Sequence, residues 1–327
     1  MKTILIVSYT GDEHATFVQR EAKKSGFKVV LFDSSVYPAS SEISFRYDKF
    51  SKFFFRLGKK MLNTGEICGV WWRRPNGLKK TKKQDPMDLY INLESEMVIR
   101  SVRDFLPKVN WISDPEATRL ACRKPVQLQI AQNIGLKIPE TCITNSPTEF
   151  KSFLDRLGNK QLTMKPVGTA LMRLSPNSKD DSRGNRVVFT KVIDPKVILS
   201  NIHMIRNCPV IFQEAIKKDC DIRVTVIDND VFAAEIVLDG CKETDNLDWR
   251  NYAGKRIYKK HILPNSISKK CVKITKLLGL RFGCIDLAFS SSNGYTFFEI
   301  NPQGQWLPSQ LKLGYTISRS LINSLTS

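Results

Sequence analysis

The sequence predicts an α/β N-terminal unit, then a mixed segment, then a largely antiparallel α+β half, so that parallel and antiparallel sheets occur in one chain. Three observations carry this. A strand–helix–strand order opens the chain, short apolar runs and helical stretches alternate through its middle, and a strand pair around a tight-turn dipeptide lies near its end. With 327 residues, the chain exceeds one ordinary core, and two or three subdomains are expected.

Residues 3–8 form a β-branched run, residues 14–25 suit a helix closed by Gly26, and 27–32 suit a second strand. Val70-Trp71-Trp72-Arg73 reads as a strand stopped by Pro75. Residues 88–106 show helical periodicity through Leu89, Leu93, Met97, Val98, Val102 and Phe105. A turn or helix start at Ser113-Asp114-Pro115 precedes a helix over about 117–134, ended by Gly135, and a strand over 140–144. Ser146-Pro147-Thr148-Glu149 has the spacing of a helix N-terminus, and that helix runs to Leu157-Gly158. Strands are expected over 161–167, 187–190, 210–214, 222–227 and 231–238, then a helix over 265–279. Residues 281–289 and 295–301 then form a hairpin around Asn293-Gly294. No internal repeat or low-complexity tract interrupts this order.

Apolar residues make up 42% and charged residues 25%, which suits a globular protein. No run of about 18 apolar residues exists, so no membrane span is expected. The opening Met1–Val7 stretch is too short for a secretion signal and lacks a small-residue cleavage site. The cysteines are scattered without a CxxC pair, which disfavours a zinc site or a disulfide scaffold and fits a reducing cytoplasm. Fifty-one Lys+Arg against 32 Asp+Glu give a formal charge of +19. Such an excess favours polyanions, although most of these lysines read as a solvated surface. The densest run, Lys79-Lys80-Thr81-Lys82-Lys83, follows Asn76-Gly77 and is expected on a loop.

The sharpest chemistry lies in the last hairpin. Glu299 and Asn301 are two apart on a strand and point to one face. If Asn293-Gly294 forms a two-residue loop, Ser292 pairs with Tyr295, Ala288 faces Glu299, and Asp286 faces Asn301. Asp286, Glu299 and Asn301 then converge as hard oxygen donors, a set that suits Mg²⁺ on nucleotide phosphates and not zinc. The plain reading is a solvated polar face. The surrounding Phe282, Ile285, Leu287, Phe289, Phe297 and Phe298 weigh against it, since an Asp and a Glu in such strands need partners.

Lys124, in a helix-start segment, and Lys165, in an apolar strand, are candidate phosphate ligands. The lone Gly168 is a weak phosphate-loop signal, and neither a G-x-G-x-x-G nor a Walker pattern occurs. Gln213-Glu214-Ala215-Ile216 ends an apolar strand where backbone can pair with adenine, and Asp221 suits ribose hydroxyls. Arg223 shares a strand face with Asp221. Arg250, in Asp248-Trp249-Arg250, offers charge to a developing phosphate. Asp221 and Arg223 read equally as a structural ion pair. Arg73 and Arg74 admit both substrate recognition and structural pairing, and His14 reads as a loop or helix-cap residue.

Taken in order, Lys124, Lys165, Gln213–Ile216, Asp221-Ile222-Arg223, Asp248-Trp249-Arg250-Asn251, Asp286 and Glu299-Ile300-Asn301 resemble the ATP-grasp superfamily over almost the whole chain. Val70–Pro75, Glu94–Trp111, Lys124–Leu128, Ile138–Thr141 and Asn301-Pro302-Gln303-Gly304-Gln305-Trp306 look like the microviridin-type peptide macrocyclases, the graspetide synthetases. Gln303 departs from that family, which often carries Asn there. The resemblance implies an α/β N-terminal pre-ATP-grasp domain over 1–112, a central ATP-grasp subdomain over 113–210 and a C-terminal subdomain over 211–327 with the Mg-ATP site. It implies ATP and Mg²⁺ as cofactors. Lys124, Lys165, Gln213, Glu214, Ala215, Ile216, Asp221, Arg250 and Asn251 would bind the nucleotide, and Asp286, Glu299 and Asn301 the metal. Lys165, Arg223 and Arg250 would act in catalysis.

The implied reaction phosphorylates an Asp or Glu side chain of a ribosomal precursor peptide. A Ser/Thr hydroxyl or Lys amine then closes a macrocyclic ester or amide. The implied partners are an acidic precursor peptide, with leader and core, and a second copy in a homodimer; neither membrane nor nucleic acid is expected. Two alternatives stand beside this reading. One is an ATP-grasp ligase that adds an amino acid to a carboxylate. The other, resting on charge alone, is a non-catalytic basic peptide- or nucleic-acid-binding protein.

Overall fold

The computed structural model describes residues 2–47, 49, 52–57, 60–75, 86–168, 171–173, 185–188, 190–240, 249, 252 and 254–327. The chain opens with β1 (Thr3–Ser8), α1 (Glu13–Lys24), β2 (Lys28–Asp33), β3 (Ser41–Arg46), β4 (Lys52–Leu57), β5 (Lys60–Leu62), β6 (Ile67–Trp72), α2 (Pro86–Phe105) and β7 (Asn110–Ile112). The first sheet has the order β2-β1-β6-β7, with every pair parallel. All six residues of β1 are buried, as a central strand covered on both faces requires. Asp12 caps α1 by accepting from the His14 and Ala15 amides. The antiparallel sheet β3-β4-β5 was not among the expected elements; Phe45 and Phe53 stack across it at 5.2 Å. The basic run 79–83 lies outside the described residues.

The middle holds α3 (Pro115–Ala121), α4 (Lys124–Asn133), β8 (Thr141–Thr144), α5 (Pro147–Leu157), β9 (Leu162–Lys165), β10 (Leu171–Arg173), β11 (Asn185–Val187), β12 (Lys191–Val192), α6 (Pro195–Ser200) and β13 (Val210–Glu214). The single helix expected over 117–134 is two. Pro125 has no N–H for the Ala121 carbonyl, so the ladder breaks at Cys122-Arg123. The Gln127 side-chain amide donates to that carbonyl instead. Ser146 caps α5 as its spacing predicts. The strand expected over 187–190 is also different, since β11 ends at Val187 and β12 begins at Lys191. The second sheet runs β12-β9-β13-β8 and is antiparallel. Its strand β13 crosses the expected division at 210/211.

The last part is β14 (Cys220–Ile227), β15 (Asp230–Leu238), β16 (Arg256–His261), α7 (Asn265–Leu277), β17 (Phe282–Ser290), β18 (Gly294–Asn301), α8 (Leu307–Leu313) and α9 (Ile317–Thr326). An antiparallel sheet of order β16-β15-β14-β17-β18 results. Helices α4 and α7 cover one face through Leu128, Ala131, Cys271 and Ile274, which meet Ile222, Val224, Ile285, Leu287 and Ile300. The hairpin register differs from the expected one. Ser290 pairs with Gly294 across a three-residue loop, a bulge follows at Phe298, and Asp286 then pairs directly with Glu299, not with Asn301.

The C-terminal helix returns to the first sheet. Leu321, Ile322 and Leu325 join Ile4, Ile6, Trp71, Phe282 and Trp306 in one core. Fully buried Trp306 meets His14 edge-on at 5.2 Å. His14 Nε2 accepts from the Trp306 and Leu307 amides, both at 3.1 Å. Two donors on one nitrogen require a neutral ring with its proton on Nδ1. Burial, followed by the Arg73 cation, pulls His14 down to about 3. Because its pKa is lower folded than unfolded, its stabilising share is complete above about 6.5 and is lost as pH falls towards 3. Thermal midpoints should therefore drop between those pH values, and His14→Gln, which accepts without titrating, should flatten that part of the profile. An unchanged slope in the variant overturns the assignment.

Candidate active site

A cleft of about 510 Å³ lies between the second sheet and the C-terminal sheet. The second sheet contributes Thr163, Lys165 and Gln213–Ile216; the C-terminal sheet contributes Asp221, Asp286, Phe298, Glu299 and Asn301; and α4 adds Lys124. All of these but Thr163 and Phe298 were singled out in the sequence as candidate site residues, from positions nearly 180 apart, and they face one cavity. Arg250 and Asn251 lie outside the described residues. Arg223 stands directly behind the cleft, opposite Asp286 on β17.

The floor is charged and ordered. Arg223 Nη1 donates to Asp286 Oδ1 at 2.7 Å, with both side chains nearly buried. Its Nε and Nη2 donate to the Gln305 carbonyl at 3.3 and 3.2 Å. Lys124 Nζ lies 3.4 Å from Glu299 Oε2 and donates to the Pro166 carbonyl at 3.2 Å. Asn301 Oδ1 accepts from the Gln303 amide at 2.9 Å, which fixes the side chain at the strand end. Asp286 and Glu299, adjacent in register, with Asn301 beyond, supply oxygen donors only. That donor set fits Mg²⁺, and the lysines in the same cleft fit the phosphates of ATP.

At the far end, the Gln213 side chain donates to Thr141 Oγ1 at 2.7 Å, and Thr163 Oγ1 donates to the Gln213 carbonyl at 2.8 Å. The Ala215 amide donates to Gln161 O at 2.8 Å, which fixes the backbone at the end of β13. The side chain of Glu214 turns aside to Lys160, at 3.4 Å. Two participants had escaped the sequence reading. Lys218 Nζ donates to both oxygens of Asp221 at 2.7 Å, and its side chain is only 3% exposed. Next to Lys217 in a Lys-rich chain, nothing in the sequence separates it from a surface lysine. Phe298, taken for hydrophobic packing, lies in the bulge. Lys165 and Lys218 stand over its ring at 5.9 and 5.8 Å, a contact that holds two ammonium groups in place.

Gly304 shows how tightly the next loop is drawn in. A Cβ there would stand 2.2 Å from Cys284 Cβ and 2.6 Å from Arg223 Nη2. Gly304→Ala should therefore shift the loop and Arg223, costing about 1–3 kcal/mol in denaturation experiments and lowering turnover more than nucleotide affinity. A variant with wild-type turnover overturns this. Asp286→Asn and Glu299→Gln should each lower Mg²⁺-dependent ATP turnover at least about 100-fold, given that even groups behind a metal ligand are worth 10–100-fold. Retained turnover in either variant removes that residue from the metal site.

A RimK-like ATP-grasp domain model matches residues 122–325, and an MvdD pre-ATP-grasp domain model matches residues 3–119. No curated protein matches the chain. Among solved structures, it resembles macrocyclase MdnC bound with precursor peptide MdnA from Microcystis aeruginosa MRC at 26% identity, over 98% of both chains, with a TM-score of 0.85. It resembles the Chryseobacterium gregarium RiPP-associated ATP-grasp ligase, in complex with ADP and a leader and core peptide, at 27% identity over 99% of this chain and 96% of that one, with a TM-score of 0.82. The ATP-grasp ligase PsnB, complexed with Mg, ADP and a phosphomimetic variant of its minimal precursor, shares the fold at 21% identity over 99% and 98%, with a TM-score of 0.76. Oxygen donors and lysines thus meet in one cleft of a fold that uses ATP and Mg²⁺, and the chain belongs to the RimK-like ATP-grasp family.

Proposed function

We propose that this ATP-grasp ligase is a peptide macrocyclase of the graspetide-synthetase kind. The observation that carries the proposal is Arg223, anchored between Asp286 and the Gln305 carbonyl directly behind the nucleotide cleft. A fixed guanidinium behind the metal donors suits a carboxylate that is to be phosphorylated. Likeness to MdnC and to the Chryseobacterium ligase over nearly the full chain supports a peptide as the owner of that carboxylate.

Mg²⁺, when bound, neutralises charge on the nucleotide phosphates. Lys124 and Lys165 hold those phosphates, while Gln213–Ile216 frame the base and Asp221, braced by Lys218, takes the ribose. Arg223 orients an Asp or Glu side chain of the precursor peptide, and Arg250 adds charge at the transferring group. One carboxylate oxygen attacks the γ-phosphorus and ADP leaves. A Ser/Thr hydroxyl or Lys amine of the same peptide then attacks the acyl carbon and phosphate leaves with the carboxylate oxygen, so each ring consumes one ATP and leaves the peptide lighter by the elements of one water. Units over 1–112, 113–210 and 211–327, a homodimer and a cytoplasmic setting belong to the same proposal. Free thiols at every described cysteine support the last of these.

A ligase that appends an amino acid would share this nucleotide cleft, and the RimK-like match over 122–325 favours it equally. The match to the pre-ATP-grasp model over 3–119 favours the cyclase. Incubation with Mg²⁺, ATP and acidic candidate precursors should release ADP and give products lighter by one water per ring; a gain in mass by an amino-acid residue selects the other ligase. The charge of +19 should also guide an acidic peptide. Raising salt about tenfold should then raise the peptide KM at least about fivefold and leave the KM for ATP within about twofold. Equal sensitivity of the two constants sinks the guidance.

A further inference from the structure

Three side chains of the N-terminal part reach the loop that follows β18. Arg73, at the end of β6 and 1% exposed, donates from Nη1 to the Gln303 and Gly304 carbonyls at 2.6 and 2.9 Å. Its Nε lies 3.3 Å from Asp12 Oδ2, and the same oxygen accepts from Ser8 Oγ at 2.7 Å. Arg74 donates to the Gln303 carbonyl as well, from Nε at 3.3 Å and Nη2 at 3.2 Å. At the other end of the loop, His14 Nε2 receives the Trp306 and Leu307 amides. The carbonyl between these two grips, that of Gln305, is the one that anchors Arg223.

We infer that Asp12, His14 and Arg73 are positioning residues: the N-terminal part clamps residues 303–307 and, through the Gln305 carbonyl, sets the guanidinium of Arg223 against Asp286.

A buried guanidinium requires compensation; Arg73 receives it from the Asp12 charge and from two carbonyls that a distant part of the chain offers to Nη1, while its Nε and Nη2 make no hydrogen bond among the described residues. Burial draws the Arg73 guanidinium down to about 10, so it remains a cation and the contacts remain charge-assisted. Burial works against the charge of Asp12, but Arg73 and Ser8 outweigh it and hold this carboxyl below its usual range. The loop has little freedom to compensate for a lost grip, because Gly304 already lies against Cys284 and Arg223. A shift at either end is therefore passed to the Gln305 carbonyl. Arg74, at the exposed end of the pair, adds to the same grip. The clamp makes the position of Arg223 depend on the docking of the N-terminal sheet, although no N-terminal residue lines the cleft among the described residues.

The consequence for the metal rests on the assignment of Asp286 as a ligand, and the experiment separates the two ideas. Side-chain Nε–H resonances in ¹⁵N spectra report on arginines held in place. The Arg223 signal, assigned by its loss in Arg223→Lys, should shift or broaden in His14→Ala and in Arg73→Met. The Arg281 signal, from a guanidinium paired with Asp228 at 2.8 Å, serves as the unmoved reference. His14→Gln, which keeps an acceptor, should leave both signals near the wild type. Two variants at opposite ends of the loop guard against one that does not fold. An Arg223 signal unchanged in the folded variants overturns the clamp, whatever becomes of the metal.

ADP affinity with and without Mg²⁺ supplies the second measurement. Loss of the clamp should reduce the tightening by Mg²⁺ at least about fivefold while the Mg²⁺-free dissociation constant stays within about twofold. If Asp286→Ala also retains the tightening, the metal assignment fails and the resonance result alone decides the clamp. If Asp286→Ala removes it and the clamp variants keep it, the clamp is overturned.

Discussion

A carboxylate and a guanidinium buried side by side on neighbouring strands govern how this site is built. Asp286 and Arg223 face each other in register at the centre of the C-terminal sheet, 2.7 Å apart. Neither can stand alone there, because removing one partner of a buried pair costs about 3–5 kcal/mol. The pair is also incomplete, since a guanidinium carries five donors and one carboxylate oxygen satisfies few of them. Two of the remaining donors turn to the Gln305 carbonyl, so the chain after β18 folds back over the strand ends. That return needs a residue without a Cβ at 304. It also needs support from behind, which comes from Arg73 and His14. A local ion pair thus determines a loop, and the loop determines where the N-terminal sheet must sit.

The second carboxylate reaches the site by a different route. Beyond the three-residue loop, continued pairing would set Asp286 opposite Phe298 and turn Glu299 to the helix-covered face. The bulge removes one residue from the count and restores Glu299 to the cleft. The same bulge leaves Phe298 with no place in the α4–α7 core, and its ring becomes the platform beneath Lys165 and Lys218. One irregularity therefore serves both the oxygen donors and the cations.

This explains what could be read from the sequence and what could not. Alternation along β18 correctly put Glu299 and Asn301 on one face, because that depends only on the pleat. Asp286 was also assigned to the right face, but with the wrong partner. The loop shifts the register by three residues and the bulge returns one, and a net shift of two preserves the face. The continuous apolar run of β1 was legible because burial on both faces leaves little choice; β14 is buried along its length too, but was legible from its apolar residues alternating with Asp221, Arg223 and Thr225. The β3–β5 sheet was not, since its strands mix charged and aromatic residues and, among the described residues, pair in a sheet of their own. The helix break at Cys122-Arg123 was signalled by Pro125, yet the residue that completes it, Gln127, shows its role only through the Ala121 and Ile300 contacts. Arg73 and Gln303 are 230 residues apart, and no local pattern announces such a contact.

Charge is arranged on two scales. Lys124, Lys165 and Lys218 line the cleft with Glu214, Asp221, Asp286 and Glu299, and Arg223 stands behind them. Among the described residues, cations and carboxylates in and behind the nucleotide site are therefore equal in number, in a chain whose formal charge is +19. The surplus must lie outside the cleft. Within the cleft, charges act over contacts of about 3 Å, where geometry decides and bulk salt screens little. Outside it, exposed lysines act over a Debye length, a range suited to drawing in a flexible polyanion and unsuited to placing one phosphate oxygen. Balanced charge inside also removes a hazard of strongly basic chains, since a cleft of unpaired lysines would hold any phosphate, whereas Lys124 and Lys218, already facing Glu299 and Asp221, yield only to a ligand that meets the whole set.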